Sequence, residues 1–364
     1  MDFTFSGDQI AFRDSVSRFL MTEAAPEMLR EIWETDIGRS PELRGKIAAQ
    51  GLMGLSVPEA EGGLGLNDID WALMTQELGY YAIPDSLGDT AYVAAGLLSG
   101  LSAEHPLRAT WLPRIVDGTC RIAVGHPVNP YVADAHLADL LLLAEATPNG
   151  LALHAVAGDA VNLTPLRSID ASRRLAQVDW TPSPLTLVAE GDAGQLLWDE
   201  ALERGALCVA GQLIGLAQRM LDLSVDYVAQ RKQFGKPIGS FQAVKHHLAD
   251  VVTKIEFAKP VFYRAVHALA HGEANLAAWV SHAKLACADA AWTAARKGIH
   301  VHGAMGYTWE VDLQMFMKRA WVLDAAWGDR TFHQARMSEF LLGEASASVP
   351  GPGDAFDFSL STGA

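Results

Sequence analysis

The densest chemistry in the chain lies in "RKQFGKPIGSFQAVKHHLAD", residues 231–250. A cationic pair, Arg231 and Lys232, is followed by an amide, Gln233, and a ring, Phe234. A second amide, Gln242, comes after the break at Pro237 and Gly239. An arginine fork binds phosphate oxygens two at a time, an amide adds a further hydrogen bond, and an aromatic side chain can lie under a second ring. The grouping could therefore clamp a phosphate-bearing cofactor. It also has a plain structural use. A basic pair at a helix C-terminus is favoured by the macrodipole, and Phe234 could plug a core. Residue types alone leave both readings open.

A second group is "IHVHGAMG". Gly303 and Gly306 suit a tight helix-to-loop turn. No carboxylate stands at ligand spacing from His300 and His302, so they read as helix-end histidines, with no metal expected. The third group is "AAWGDRTFHQAR", in which Asp329 is a candidate N-cap for the helix "RTFHQARMSEFLL".

The elements that must position these residues follow from periodicity. Residues 1–118 read as helical: "DQIAFRDSVSRFL" spaces Ile10, Phe12, Val16, Phe19 and Leu20 on one side, with Asp8 as candidate cap. A Gly-rich loop, "PEAEGGLGL", leads into a helix carrying Ile69, Leu73, Met74 and Leu78. Over 119–195 the texture changes to short apolar runs between turn signals, "DLLLLAEA", "LALHAVA", "LAQVDW" and "LTLVAE", which read as strands of a small β lobe. Helical periodicity returns over 196–343. There Phe241, Val244, Leu248, Val251 and Ile255 make one apolar helical face for a bundle. Residues 344–364, rich in Gly, Ser, Pro and Ala, read as a mobile tail. The expected fold is mostly α with a small β domain.

Composition narrows the partners. A formal charge of −15 over 364 residues disfavours nucleic acid, which needs a broad basic face. No apolar run approaches the roughly 18–20 residues of a membrane span, and the N-terminus lacks the basic and apolar regions of a secretory signal. Three scattered cysteines, Cys120, Cys208 and Cys287, form no disulfide or metal pattern and suit a reducing cytoplasm.

The knot at 231–250 closely resembles the flavin-binding signature of the acyl-CoA dehydrogenase family. "PEAEGGLGL" is similar to that family's N-terminal loop, and "IHVHGAMGYTWEVDLQMFMKRA" to its C-terminal glycine motif. The resemblance spans most of the chain. It implies an N-terminal α-helical domain, a β-barrel-like middle domain (here shortened) and a C-terminal four-helix bundle. It also implies FAD held across a subunit interface. Arg231, Gln233, Phe234 and Gln242 then fall on the diphosphate and adenine half of the cofactor. His300, Gly303 and Ala304 fall on the glycine motif that touches the adenine half. The family's flavin-contacting run corresponds to "AVGHPVNPYVADAHLADLLLLA", which keeps Pro127 and Asp134 of that pattern.

The family removes the α-proton of an acyl-CoA thioester and passes the β-hydride to flavin. Its base is a carboxylate in an apolar site. At the usual position the resemblance offers Asp329, with Thr331 and His333 on the flavin side and Arg336 on a family arginine. At the alternative position, on the long helix, it offers Gly205. Glu203, about 200° around that helix from Gly205, reads as a solvated carboxylate. Two functions follow. One is a catalytic acyl-CoA dehydrogenase subunit of the heteromeric bacterial kind, acting on acyl-CoA thioesters such as bulky steroid side chains. The other is a non-catalytic partner that completes a homologous subunit's FAD site. Either way a dimer of dimers and an electron-accepting flavoprotein are expected.

Overall fold

The structure is a computed structural model that describes residues 4–343; the tail expected over 344–364 lies outside the described residues. Six helices come first: α1 (Gly7–Glu23), α2 (Pro26–Glu34), α3 (Pro41–Ala49), α4 (Asp68–Tyr80), α5 (Ala95–Ser99) and α6 (Pro106–Val116). A π-helical turn, Asp89–Ala94, leads into α5. The cap of α1 is Ser6 rather than Asp8. Ser6 Oγ accepts from Gln9 N at 3.2 Å, and the Gln9 side chain accepts from Ser6 N at 3.0 Å. This reciprocal box satisfies two free amides at once, and Asp8 sits in the first turn instead.

Seven strands make the β lobe: β1 (Ile122–Gly125), β2 (Val132–Ala133), β3 (Leu140–Thr147), β4 (Gly150–Ala157), β5 (Asn162–Leu166), β6 (Leu175–Asp179) and β7 (Leu187–Ala189). They form a four-stranded sheet, β1-β3-β4-β7, and a three-stranded one, β2-β6-β5. Only the β1–β3 pairing is parallel. The run Leu140–Leu143 is explained by burial on both faces. Leu140 and Leu142 enter the main core, while Leu141 and Leu143 pack with Val132, Val156 and Ala176 in a smaller one.

The bundle contains α7 (Gly191–Gln230), α8 (Gln242–Ala270), α9 (Leu276–His302), α10 (Leu313–Asp324) and α11 (Arg330–Leu342). Between α7 and α8 lies a hairpin of β8 (Lys232–Gln233) and β9 (Lys236–Pro237). α7 is long and apolar enough to cross a membrane, but 72% of its most apolar stretch is buried inside the fold. It is the central helix, packed on α4, α8, α9 and α10. It crosses α4 at backbone contact: a Cβ on Gly79 would lie 2.1 Å from Gln212 O, and one on Gly215 1.9 Å from Gln76 O.

Candidate functional site

The hairpin after α7 carries Gln233 and Phe234, with Arg231 as the C-cap of α7 just before it and Gln242 opening α8 just after it. Gln233 pairs with Lys236 and Lys232 with Pro237, leaving Phe234 and Gly235 as the two-residue turn. Both turn residues have positive φ, 52° and 80°, the backbone that two-residue hairpins favour. For Gly235 this is free; for Phe234 it costs about 1–2 kcal/mol. The Phe234 side chain gains little in return among the described residues: it is 91% exposed and meets the edge of Phe241, ring centres 6.1 Å apart. Arg231, Gln233 and Gln242 are exposed too. The Arg231 and Gln233 side chains make no hydrogen bond or ion pair among the described residues.

The glycine motif lies at the same end of the bundle. Tyr227, one turn before Arg231, stacks on His302 at 4.1 Å and donates to His302 O at 3.3 Å. His302 Nδ1–H donates to Gly298 O at 2.8 Å, so this histidine is buried in the helix end. His300, Gly303 and Ala304 are exposed. The His300 ring meets His247 of α8 at 4.6 Å, edge to face. Arg231, Gln233, Phe234, Gln242, His300, Gly303 and Ala304 thus share one surface region.

Asp329, Thr331 and His333 do not join them. The loop before α11 packs near Gly205, and Gly205 to Arg231 along α7 is roughly 40 Å at about 1.5 Å per residue. Asp329 is exposed and caps α11, its Oδ1 accepting from Phe332 N at 2.8 Å. Thr331 is exposed beside it. His333 lies in the interior at 0% exposure rather than on an open face. Its Nε2–H donates to Trp327 O at 3.0 Å, which leaves Nδ1 to accept from Ser281 Oγ at 3.0 Å. Burial, helped by the nearby Lys284 ammonium, brings its pKa down to about 4.

The loop is built around Trp327, a residue the sequence reading passed over. Trp327 has φ 55° and Gly328 φ 93°. The Trp327 amide donates to Asn129 Oδ1 at 2.7 Å, and its indole Nε1–H to Asp89 Oδ1 at 3.1 Å. Its ring lies on the Gly205 backbone so closely that a Cβ there would sit 2.1 Å from it. From below, Lys284, 1% exposed, donates to Asp324 O at 2.8 Å and Gly328 O at 3.2 Å. Burial pulls the Lys284 pKa down to about 8, with Asp324 opposing. Glu203 also needs correction. It is 5% exposed, not solvated, and pairs with Arg336 of α11. Burial raises its pKa and Arg336 works against that shift. The far side of α7 faces another helix, so a half-turn from Gly205 does not lead to water.

Comparison with known proteins fits this geometry. Residues 6–119 match the acyl-CoA dehydrogenase N-terminal domain, and residues 192–342 the acyl-CoA dehydrogenase C-terminal domain. The acyl-CoA dehydrogenase IpdE2 of Mycolicibacterium smegmatis is 30% identical over 319 residues, 86% of this chain and 93% of that protein. The chain belongs to the acyl-CoA dehydrogenase family. Among solved structures, the ChsE4-ChsE5 complex of Mycobacterium tuberculosis superposes with a TM-score of 0.83 at 22% identity, covering 96% of this chain and 100% of that one. The Tcur3481-Tcur3483 steroid ACAD superposes with 0.83 at 23%, covering 94% and 99%.

The family's cofactor is FAD, and its two halves fare differently on this acyl-CoA dehydrogenase chain. The end of α7 and the hairpin after it suit the diphosphate half: the Arg231 guanidinium and the Gln233 amide have no partner among the described residues, and the Phe234 ring is exposed. The run over 123–144 suits the flavin ring poorly, because three of its polar side chains, those of His126, Asn129 and Asp134, are engaged within the chain. His126 Nδ1 accepts from Val128 N at 3.0 Å. Asn129 holds Trp327. Asp134 is buried against Arg39 and accepts from Ser86 Oγ at 2.6 Å.

Proposed function

We propose that this chain is the FAD-completing subunit of a heteromeric acyl-CoA dehydrogenase. Its hairpin holds the diphosphate and adenine half of a FAD whose flavin ring lies in a homologous partner subunit. Bound there, FAD would supply the acceptor for the β-hydride when an acyl-CoA thioester is oxidised to a trans-2-enoyl-CoA. Arg231 and Gln233 bind the diphosphate oxygens, while Phe234, Gln242, His300, Gly303 and Ala304 enclose the adenine side. The α-proton goes to a carboxylate of the partner. Electrons leave through an acceptor flavoprotein. A bulky, ring-bearing acyl group is favoured by the likeness to a protein titled as a steroid ACAD. Three free, buried cysteines suit a cytoplasmic setting.

The observation that carries this reading is the seat of Trp327. Both family positions for the base are compromised by it: Gly205 lies under the indole with no room for a side chain, and Asp329 follows the loop as a surface cap. Electrostatic stabilisation and proton abstraction need groups aimed at the reacting atoms in a closed site, and neither residue meets that need within this chain. A second reading keeps Asp329 as the base, supported by its free Oδ2. The deciding experiment is co-expression with homologous acyl-CoA dehydrogenase chains, followed by flavin content and dye-coupled activity. The chain alone should be colourless and inactive, and the assembly yellow and active. Full flavin and turnover from the lone chain would overturn the proposal.

A further inference from the structure

Beside Trp327 a cavity of about 310 Å³ opens between the β lobe and the bundle, at the lower end of the size range of small-molecule sites. Its walls are apolar: Val124, Pro130, Tyr131, Leu175 and Val322 surround it together with the indole. Polar groups reach it from Asp89, Asn129, Arg173 and the Tyr131 hydroxyl. Asp89 and the Asn129 side-chain oxygen accept from Trp327. The Arg173 side chain has no such partner.

The Arg173 side chain has no hydrogen bond and no carboxylate oxygen within 4.0 Å among the described residues, and its Nε is buried without a partner. Its neighbours show what a satisfied arginine looks like in this region. Arg39 is paired with Asp134, Arg44 with Asp85 and Arg319 with Asp170, each deep in the fold. Asp89 exerts the largest attraction on Arg173, but it lies outside ion-pair range and burial pushes its own carboxyl up. Arg173 is half-buried, its terminal nitrogens open to the cavity, and burial lowers its pKa; a guanidinium partly withdrawn from water with no counterion is costly.

We propose that this cavity is a ligand site in which Arg173 anchors a small monocarboxylate with an apolar body. One planar fork matches one carboxylate. A phosphate dianion would leave excess negative charge next to Asp89, with no second cation lining the cavity among the described residues. The site is independent of the hairpin and does not rest on the partner role proposed above.

The test uses the full chain in the assembly in which it purifies, with cyclohexanepropionate as probe. Calorimetry and thermal unfolding should show millimolar or tighter binding, at least tenfold weaker for the isosteric amide. Arg173→Met should lose at least tenfold in affinity for the acid. Without ligand, the variant should be at least as stable as the parent, because an unpaired buried charge has gone. Arg173→Lys, which keeps the charge without the fork, should bind more weakly yet still prefer acid to amide. Equal binding of acid and amide would overturn the proposal. So would inorganic phosphate or riboflavin binding in an Arg173-dependent way. A destabilised or unfolded Arg173→Met would show that Arg173 is already paired within the chain, and would overturn it too.

Discussion

The two ends of α7 handle polar groups in opposite ways. At the hairpin end, Arg231, Gln233 and Gln242 are exposed, and Phe234 sits in a left-handed backbone with most of its ring in water. At the Trp327 end, the amide, the indole N–H, His333 and Lys284 all have partners inside the chain. A surface that holds donors open and tolerates local strain is built for something outside the chain. A loop whose groups are paired inward is built to stay closed. On the function proposed above, the difference is that between a surface that lends residues to a partner's site and a loop that does not house the reaction.

Removing the plug should break the comparison most visibly. Trp327→Ala would leave a large void above Gly205, and truncating a buried tryptophan costs about 3–5 kcal/mol. Urea unfolding of the assembly should report that loss. A variant that remains as stable as the parent would mean that the cleft is open in the native state.

The closed end should also be the acid-sensitive end. Burial brings His126 and His333 each down to about 4, against about 6.5 in an unfolded chain. Between those values the unfolded state binds more protons, so stability falls as pH drops from about 6.5 towards 4. The loss is on the order of 3 kcal/mol per histidine. His333→Gln should flatten this part of the profile in a pH series of unfolding curves, since one of the buried titrating rings is gone. An unchanged slope would show that His333 does not stay neutral in the fold.

At the open end, Arg231→Ala should leave unfolding unchanged and weaken flavin retention by the assembly. A charge-assisted hydrogen bond to phosphate contributes roughly 1.5–3 kcal/mol, about 10- to 150-fold in affinity. Flavin content that survives the change would reduce Arg231 to a helix-end charge.

Much of the scaffold was legible in the sequence because it rests on periodicity. The face of α8 with Val251 and Ile255 is buried as its spacing demands, and the leucine run of β3 is a strand covered on both sides. β1, β2 and β5 are short and lack alternation, so they left little signal. α7 opens at Gly191, inside the stretch read as β, because "EGDAG" carries turn residues that here precede a helix. Glu203 was misread for a related reason. Helical phase says which way a side chain points, not what lies there, and α11 brings Arg336 from 133 residues away. Trp327 was invisible for want of a rule: a left-handed tryptophan is set by tertiary contacts with Asn129, Asp89 and Gly205, none of them near it in sequence.

The smallest expected effect is the sharpest. Asp329 either caps α11 only, or caps it and also takes a proton. Asparagine caps a helix as well as aspartate does, so Asp329→Asn keeps the 2.8 Å bond to Phe332 N. It removes the carboxylate and with it a favourable charge at the helix N-terminus, a loss of a few tenths of a kcal/mol. Stability should therefore barely move. If the chemistry resides in the partner, turnover of the reconstituted assembly should not move either, because Asp329 lies roughly 40 Å along α7 from the clamp. A fall in turnover by orders of magnitude, with flavin content and unfolding intact, would bring the base back into this chain. It would also require the loop to reorganise on assembly, since Asp329 now faces solvent and Trp327 occupies the space beside Gly205. Measuring Asp329→Asn and Trp327→Ala in the same assembly separates the cases. A closed loop predicts harm only from the tryptophan change, and a reorganising one predicts that the aspartate change stops turnover while leaving the fold alone.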